Sequence, residues 1–481
     1  MNVVVGIPLY VMSAAALLAI VSGAFTLPRD LRRLPEWIGL LGVGITLITL
    51  IAMWDRPQSG FEGEIRLTHM SMLMSGIILV ATLATIALSW GEPAGAGRRG
   101  EYIGLVLAAA TGMMLTVTAG DLIVMFIGIE LLSVSLYILC AIEVTRERSL
   151  ESGLKYLITG AIGTAILIYG FALLYGMTGS TSLDVIGERL SEAGPLTSQP
   201  LLVAAMALVA VALGFKASAV PFHMWTPDVY EGAPTPITTF MSTGTKAAAM
   251  GAFLLVFTGA AQGAIADWRV LIGAISAASM VVGNIGALRQ TSVKRMLAWS
   301  SVAQAGYLLM GVAVGTAFGA EALIYYLIAY LAMTLAAFAI VILREREVED
   351  GDQLDAFTGY GRRRPWAGVV MTLAMLSLAG FPPLAGFIGK FMLFSAAIDS
   401  DMLWLAIVGA LASAVSVVYY LRVSIVMWSP APVRDVAERT LRVPRPVAAV
   451  AVAGGVAIIA LAIWAQPVID LCRDAGASLL P

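Results

Sequence analysis

The sequence predicts an all-α polytopic membrane protein of about 14 transmembrane helices, with two inverted five-helix repeats and broken helices 7 and 12. Three observations carry this expectation. Of 481 residues, 59% are hydrophobic and only 12% charged, against about 25% charged in soluble globular domains. Apolar runs of about 20 residues, enough helix to cross a hydrocarbon core of about 30 Å, recur from end to end. Basic residues crowd every second loop, as the positive-inside rule requires of a chain that crosses a membrane repeatedly.

The whole chain, 1–481, reads as a single membrane domain. Its first three spans run from Val5 to Leu27, Trp37 to Met53 and Leu67 to Trp90, and make an N-terminal segment over 1–100. The first lacks a basic flank and a small-residue cleavage site, so it reads as a retained helix. Spans 4 to 8, the first repeat over 101–260, run from Tyr102 to Val117, Leu122 to Ile142, Tyr156 to Met177, Leu201 to Phe222 and Pro236 to Thr258. Spans 9 to 13, the second repeat over 261–430, run from Trp268 to Leu288, Met296 to Ala317, Ala322 to Leu343, Trp366 to Ile398 and Met402 to Trp428. The last span, Val447 to Trp464, falls in 431–481. All ten tryptophans lie close to a proposed span end, where indole rings favour the interface.

Loops after odd-numbered spans hold 20 Lys and Arg, whereas loops after even-numbered spans and both termini hold 5. Both termini are therefore expected to face away from the cytoplasm. A net charge of −2 gives no reason to expect a nucleic-acid partner, and membrane lipid is the obvious surrounding. Cys140 and Cys472 are too few and too far apart for a cluster or zinc pattern, and His69 and His223 are the only histidines. No glycine-rich nucleotide fingerprint follows a strand. No metal and no cofactor is expected in this chain.

Four basic residues, Lys216, Lys246, Lys390 and Arg422, remain inside spans, with one acid, Glu130, placed deep. Arg422 is near a span end and can extend to the headgroups. Glu130 and Lys246 fall near mid-span, where an isolated charge costs several kcal/mol (about 2.5 to 3.5 on insertion scales) and groups pair, titrate or line water. A Glu–Lys pair that only locks helices explains one lysine. It leaves at least two lysines without a carboxylate. Only five lysines stand against 24 arginines, and three of the five are in spans. An amine can release and regain a proton where a guanidinium stays charged, so the choice fits proton handling. Asp228 and Glu231, after span 7, read as solvated or subunit-contact residues.

Pro221 withholds a hydrogen bond from the Ala217 carbonyl, and Pro382 and Pro383 from Leu378 and Ala379, so helices 7 and 12 should break within the membrane. Such breaks are tolerated where the freed backbone is buried in protein or lines a polar cavity. Lys216 and Lys390 both lie beside them. The broken, lysine-bearing helix is the fourth in each five-span unit. Five is odd, which makes the second unit inverted, as in many transporters.

The stretches "GIELLSVSLYIL", "FKASAVPFHMWTPDVYEGAPTP", "STGTKAAAMGAF", "SVKRMLAWSSVAQAGYLLMG" and "LAGFPPLAGFIGKFMLF" resemble the antiporter-like membrane subunits of respiratory complex I, NADH:quinone oxidoreductase, and among them the bacterial subunit N type. The resemblance covers about 128–394. It implies that Glu130, Lys216, Lys246 and Lys390 form a proton relay, and that Lys155 and His223 feed protons in from the cytoplasmic side. It also implies the bacterial inner membrane, and partners comprising the other complex I membrane subunits and the peripheral arm. Those partners would hold the FMN, iron–sulfur clusters and quinone. Multisubunit sodium/proton antiporters and membrane-bound hydrogenases share the lysine constellation and are the alternative. A self-contained transporter and a structural scaffold are further readings of the residues alone.

Overall fold

A computed structural model describes residues 2–25, 32–90, 98–192, 199–430 and 444–479. Arg29, Arg434, Arg439 and Arg442, counted in the charge pattern above, lie outside the described residues. The chain is a bundle of long helices. They are α1 (Ile7–Ala24), α2 (Leu34–Met53), α3 (His69–Leu88), α4 (Arg99–Val117), α5 (Leu122–Cys140) and α6 (Glu147–Thr178). After a short amphipathic helix, α7 (Leu183–Glu192), come α8 (Pro200–Ala217), α9 (Trp225–Gly232) and α10 (Thr235–Ala260). The second half has α11 (Ile265–Leu288), α12 (Val293–Val314), α13 (Ala317–Glu347), α14 (Pro365–Ala379), α15 (Ala385–Asp399) and α16 (Leu403–Trp428). It closes with α17 (Arg445–Ile463) and α18 (Ala465–Ala477).

Among the described residues, thirteen helices are long and apolar enough to cross a membrane. The remaining crossing is the split pair α14 and α15. Buried between the halves are α10, α12 and α13, whose most apolar stretches are each 94% buried; α1, α2, α16 and α17 expose leucine, isoleucine and valine outward. Packing repeats between the halves: α4 lies on α5 as α11 lies on α12, α6 on α8 as α13 on α14, and α10 on α8 as α16 on α14.

Several expectations are corrected. The sixth helix starts at Glu147, not Tyr156, so Lys155 is inside it. The tenth span, α12, starts at Val293, which moves Lys294 from a loop to a buried position, 2% exposed. Glu130 is at mid-height of α5, as expected, but is half-exposed there, while Glu321 and Glu347, near the two ends of α13, are buried. The reason is register: period alone places Glu130 at mid-height but does not say which side of α5 it occupies. A two-stranded hairpin, Gln58–Gly60 with Ile65–Leu67, and α7 and α18 also went unforeseen, being short and flanked by the apolar runs that dominate the pattern.

Candidate functional site

The two broken helices end in the same way. After Ala217, Ser218 takes a left-handed conformation with φ 64°. Ser218 N–H then bonds to Phe215 carbonyl at 3.1 Å and Ala219 N–H to Gly214 carbonyl at 2.8 Å. After Ala379, Gly380 has φ 86°, with its N–H on Ser377 carbonyl and that of Phe381 on Leu376 carbonyl, both at 3.0 Å. This is the Schellman closure, which leaves the last carbonyls of each half-helix without a helical partner. Both chains then turn through a proline, at the cis Val220–Pro221 and Pro382–Pro383 bonds.

Lysines meet those ends. Lys246 Nζ donates to Ser301 carbonyl at 2.6 Å and reaches the Ala217 carbonyl at 3.4 Å. Lys390 Nζ donates to the Leu378 carbonyl at 3.0 Å and the Ala379 carbonyl at 3.3 Å. A cation at a helix C-terminus is favoured by about 0.3 to 1 kcal/mol at the surface and up to about 2 when partly buried. Lys216, in the last turn of α8, points instead to α5, where it donates to Ser133 Oγ at 2.6 Å. Ser133 gives its own proton to the Ile129 carbonyl, so its lone pair faces the ammonium. Lys390 finds the same device: Ser413 Oγ donates to Ala379 carbonyl at 3.0 Å and accepts from Lys390 at 3.0 Å.

All three lysines are buried, 6%, 2% and 3% exposed in chain order, and none is in an ion pair among the described residues. Aromatic rings flank them: Tyr137 at 5.8 Å and Tyr156 at 5.7 Å from Lys216, Tyr330 at 5.8 Å from Lys246, Tyr307 at 4.5 Å from Lys390. Just before Lys246 lies a π-helical stretch, Met241–Thr245. There Ser242 and Thr243 hydroxyls both bond back to the Thr239 carbonyl, at 2.9 and 2.8 Å, competing with the backbone ladder and favouring the wider turn.

A row of polar groups lies between Lys246 and Lys390, hydrogen-bonded to the Lys390 end and meeting the Lys246 end only through the backbone of Ser300 and Ser301. Beside Ser301, the Ser300 hydroxyl meets Tyr420 Oη. Gln304 Nε2 donates to Tyr420 Oη at 3.1 Å and to the Leu378 carbonyl at 3.4 Å, while Tyr326 Oη donates to Gln304 Oε1. That carbonyl is also held by Lys390. Sequence reasoning missed Ser300, Gln304, Tyr326 and Tyr420. Uncharged polar residues in long helices carry no signal of the face they occupy; a glutamine inside an apolar span was the one hint.

Glu130 accepts from Thr164 Oγ1 at 2.6 Å. It lines an outward-opening groove of 770 Å³ with Tyr137, Arg98 and Glu101. It is one helical turn from Ser133, and so on the same side of α5 as the group that holds Lys216. No ion pair joins Glu130 to Lys216 among the described residues.

Lys155 and His223 are not in this row. Lys155 pairs with Glu151 at 2.7 Å and Asp228 at 2.9 Å; Arg295 joins Asp228 at 2.9 Å and Glu231. Asp228 and Glu231 are thus members of an ion-pair network between α6, α9 and α12. Burial alone would raise the Asp228 carboxyl, but the bonds from Lys155 and Arg295 outweigh it and hold it below the usual carboxylate range. His223 is buried between the halves of the broken helix, edge-on to Trp299 at 5.4 Å, with no hydrogen-bond partner for Nδ1 among the described residues. Another buried lysine escaped notice: Lys294 donates to Ala233 carbonyl at 2.7 Å and is 3.8 Å from Glu345, which accepts from Thr235 Oγ1 at 2.8 Å.

The family model described as NADH:quinone oxidoreductase/Mrp antiporter, transmembrane, matches residues 119–416, which include Glu130, Lys155, Lys216, His223, Lys246, Lys294, Gln304 and Lys390. NADH-quinone oxidoreductase subunit N of Trichlorobacter lovleyi is 42% identical over 393 residues, 82% of this chain and 80% of that one. A chain of respiratory complex I from Thermus thermophilus superposes with a TM-score of 0.82 at 35% identity, covering 96% of this chain and 98% of that one. A chain of the Mrp complex of Dietzia sp. also reaches a TM-score of 0.82, at 22% identity over 100% of this chain and 98% of that one, and shares the fold. The chain belongs to the subunit N family of antiporter-like membrane subunits of NADH-quinone oxidoreductase, respiratory complex I.

Proposed function

We propose that Glu130, Lys216, Lys246 and Lys390 carry protons through this subunit. As a member of its family the chain is a proton-translocating membrane subunit of NADH:quinone oxidoreductase, coupled to quinone reduction in partner subunits. The supporting observation is three buried lysines in no ion pair among the described residues, two of them seated on the free carbonyls of broken helices. A structural lock needs a counter-charge; a relay needs amines that can discharge.

In the described conformation Glu130 is held by Thr164 and Lys216 by Ser133. A swing of either side chain exchanges these partners for each other, and the carboxylate then holds the amine charged. Loosening that pair releases the proton toward Lys246. Like-charge repulsion between neighbouring ammonium groups drives it on to Lys390. Moving one charge against 100 mV takes about 2.3 kcal/mol, which lies within the reach of such charge coupling. Lys155 and His223 feed protons in. The FMN, iron–sulfur clusters and quinone belong to partner subunits, and this chain holds no redox centre. Both termini face the periplasm, and the repeat boundaries are 101–260 and 261–430.

Lys216→Ala tests this reading in inverted membrane vesicles that carry the whole complex. Coupled electron transfer and proton uptake should fall sharply while the assembled complex persists. Full pumping with unchanged quinone-linked turnover would defeat the proposal. Exchange of sodium for protons by the chain with no redox partner would point to the Mrp type of engine.

A further inference from the structure

We infer that Gln304 is a gate that blocks proton passage between Lys246 and Lys390 until its side chain moves. The inference rests on the relay reading above. Gln304 is 1% exposed, and all its polar atoms are engaged. The Leu378 carbonyl has no proton to give, so the amide nitrogen must face it, at 3.4 Å. Oε1 is thereby turned to Tyr326, whose hydroxyl must donate. Tyr420, which accepts from Gln304 at 3.1 Å, has its own proton free for the Ser300 hydroxyl. Donors and acceptors around Gln304 are thus fixed by the inventory of each group, while the Ser300–Tyr420 bond can run either way.

A hydroxyl or a water passes a proton by taking one on a lone pair and releasing another. A primary amide does not do so near neutral pH. The obstruction is doubled on the Lys390 side, where the one Leu378 carbonyl accepts from both Gln304 Nε2 and Lys390 Nζ. Two donors face a shared acceptor, and no lone pair leads from one to the other. A proton arriving from the Lys246 side stops at Tyr420.

Opening requires Nε2 to leave the Leu378 carbonyl and a water to enter between them. That water, protonated from the Lys246 side, breaks one O–H bond as an N–H bond forms on the lone pair of an uncharged Lys390. The amide neither gains nor loses a proton. Leu378 lies in the last turn of α14, so a shift of the broken helix moves the carbonyl on which the gate closes. The device keeps the two amines from equilibrating until the half-helix moves.

The test uses vesicles carrying the whole complex. Two quantities are read: the decay of an imposed pH gradient without NADH, and NADH-driven acidification. Gln304→Glu supplies a carboxyl that can relay, and should speed the decay on the order of tenfold, the rate equivalent of about 1.36 kcal/mol of barrier. Gln304→Met keeps the bulk without relaying, and should slow pumping without faster decay. Decay of Q304E at the parental rate overturns the gate, as does a Q304M leak equal to that of Q304E, which would mean lost packing. If Q304E does not assemble, Gln304→Asn takes its place: it withdraws the amide from Leu378, and faster decay supports the gate while parental decay overturns it. Lys216→Ala is measured alongside. Parental pumping by that variant defeats the relay itself, whereas lost pumping without a Q304E leak defeats only the gate.

Discussion

Lys246→Arg separates a proton carrier from a structural charge. Lys246 Nζ reaches the Ser301 and Ala217 carbonyls at 2.6 and 3.4 Å, tying α10 to α12 and α8. Arginine keeps the charge and supplies five donors for the same carbonyls, so a purely structural cation should survive the change. Its cost in a fully buried site is overpacking, about 1 to 3 kcal/mol. What arginine cannot keep is discharge. The ordinary values of the two side chains, about 10.4 and at least about 12.5, make the neutral form about a hundredfold or more rarer, equivalent to about 3 kcal/mol. Pumping that passes through neutral Lys246 should therefore fall to background. The assay is NADH-driven acidification of inverted vesicles, normalised to assembled complex and to electron transfer from NADH to ferricyanide in the peripheral arm. Lys246→Met, which loses both charge and donors, should fail equally. Parental pumping by Lys246→Arg would refute the carrier role, because only the charge would then be needed.

Other perturbations probe the surroundings. Thr164→Val removes the 2.6 Å bond to Glu130 at nearly constant shape; a charge-assisted hydrogen bond contributes about 1.5 to 3 kcal/mol, and partner exchange, read as pumping rate, should change several-fold while assembly does not. Asp228→Asn weakens the Lys155–Asp228–Arg295 network. Its parent carboxylate is held low, so its stabilisation is complete above the unfolded-state value of about 3.9 and fades as pH drops through the lower folded value. Thermal stability of the parent complex should lose this contribution below about pH 4, and Asp228→Asn should lack that dependence. Gly160→Ala drives a methyl into Tyr137 Oη, which must move beside Lys216; reduced pumping with a stability loss of about 1 to 3 kcal/mol is expected.

Much of the fold was legible because a bilayer demands long apolar helices and punishes buried charge. Pro221, Pro382 and Pro383 marked both breaks, and the scarcity of lysine singled out Lys216, Lys246 and Lys390. The facing of side chains was not legible. Helical period assigns depth within a span but not the neighbour met there, so Glu130 was placed at the right height without its half-exposed setting, and buried Lys294 was taken for a loop residue. Helix ends also misled. The π-helical turn before Lys246 shifts register through two hydroxyls that hold the Thr239 carbonyl, and no apolar pattern records it. Gln304, Tyr326 and Tyr420 come from α12, α13 and α16 and meet only in three dimensions. Tyrosines buried among apolar residues look like core until their hydroxyls find one another.

The central claim, that protons cross this subunit through its buried amines, is met most directly by the proton-to-electron ratio of the whole complex with Lys216→Ala, measured in sealed vesicles with NADH and a soluble quinone. The relay predicts a lower ratio than the parent, or electron transfer slowed together with pumping. A parental ratio at parental turnover would show that protons do not pass through Lys216.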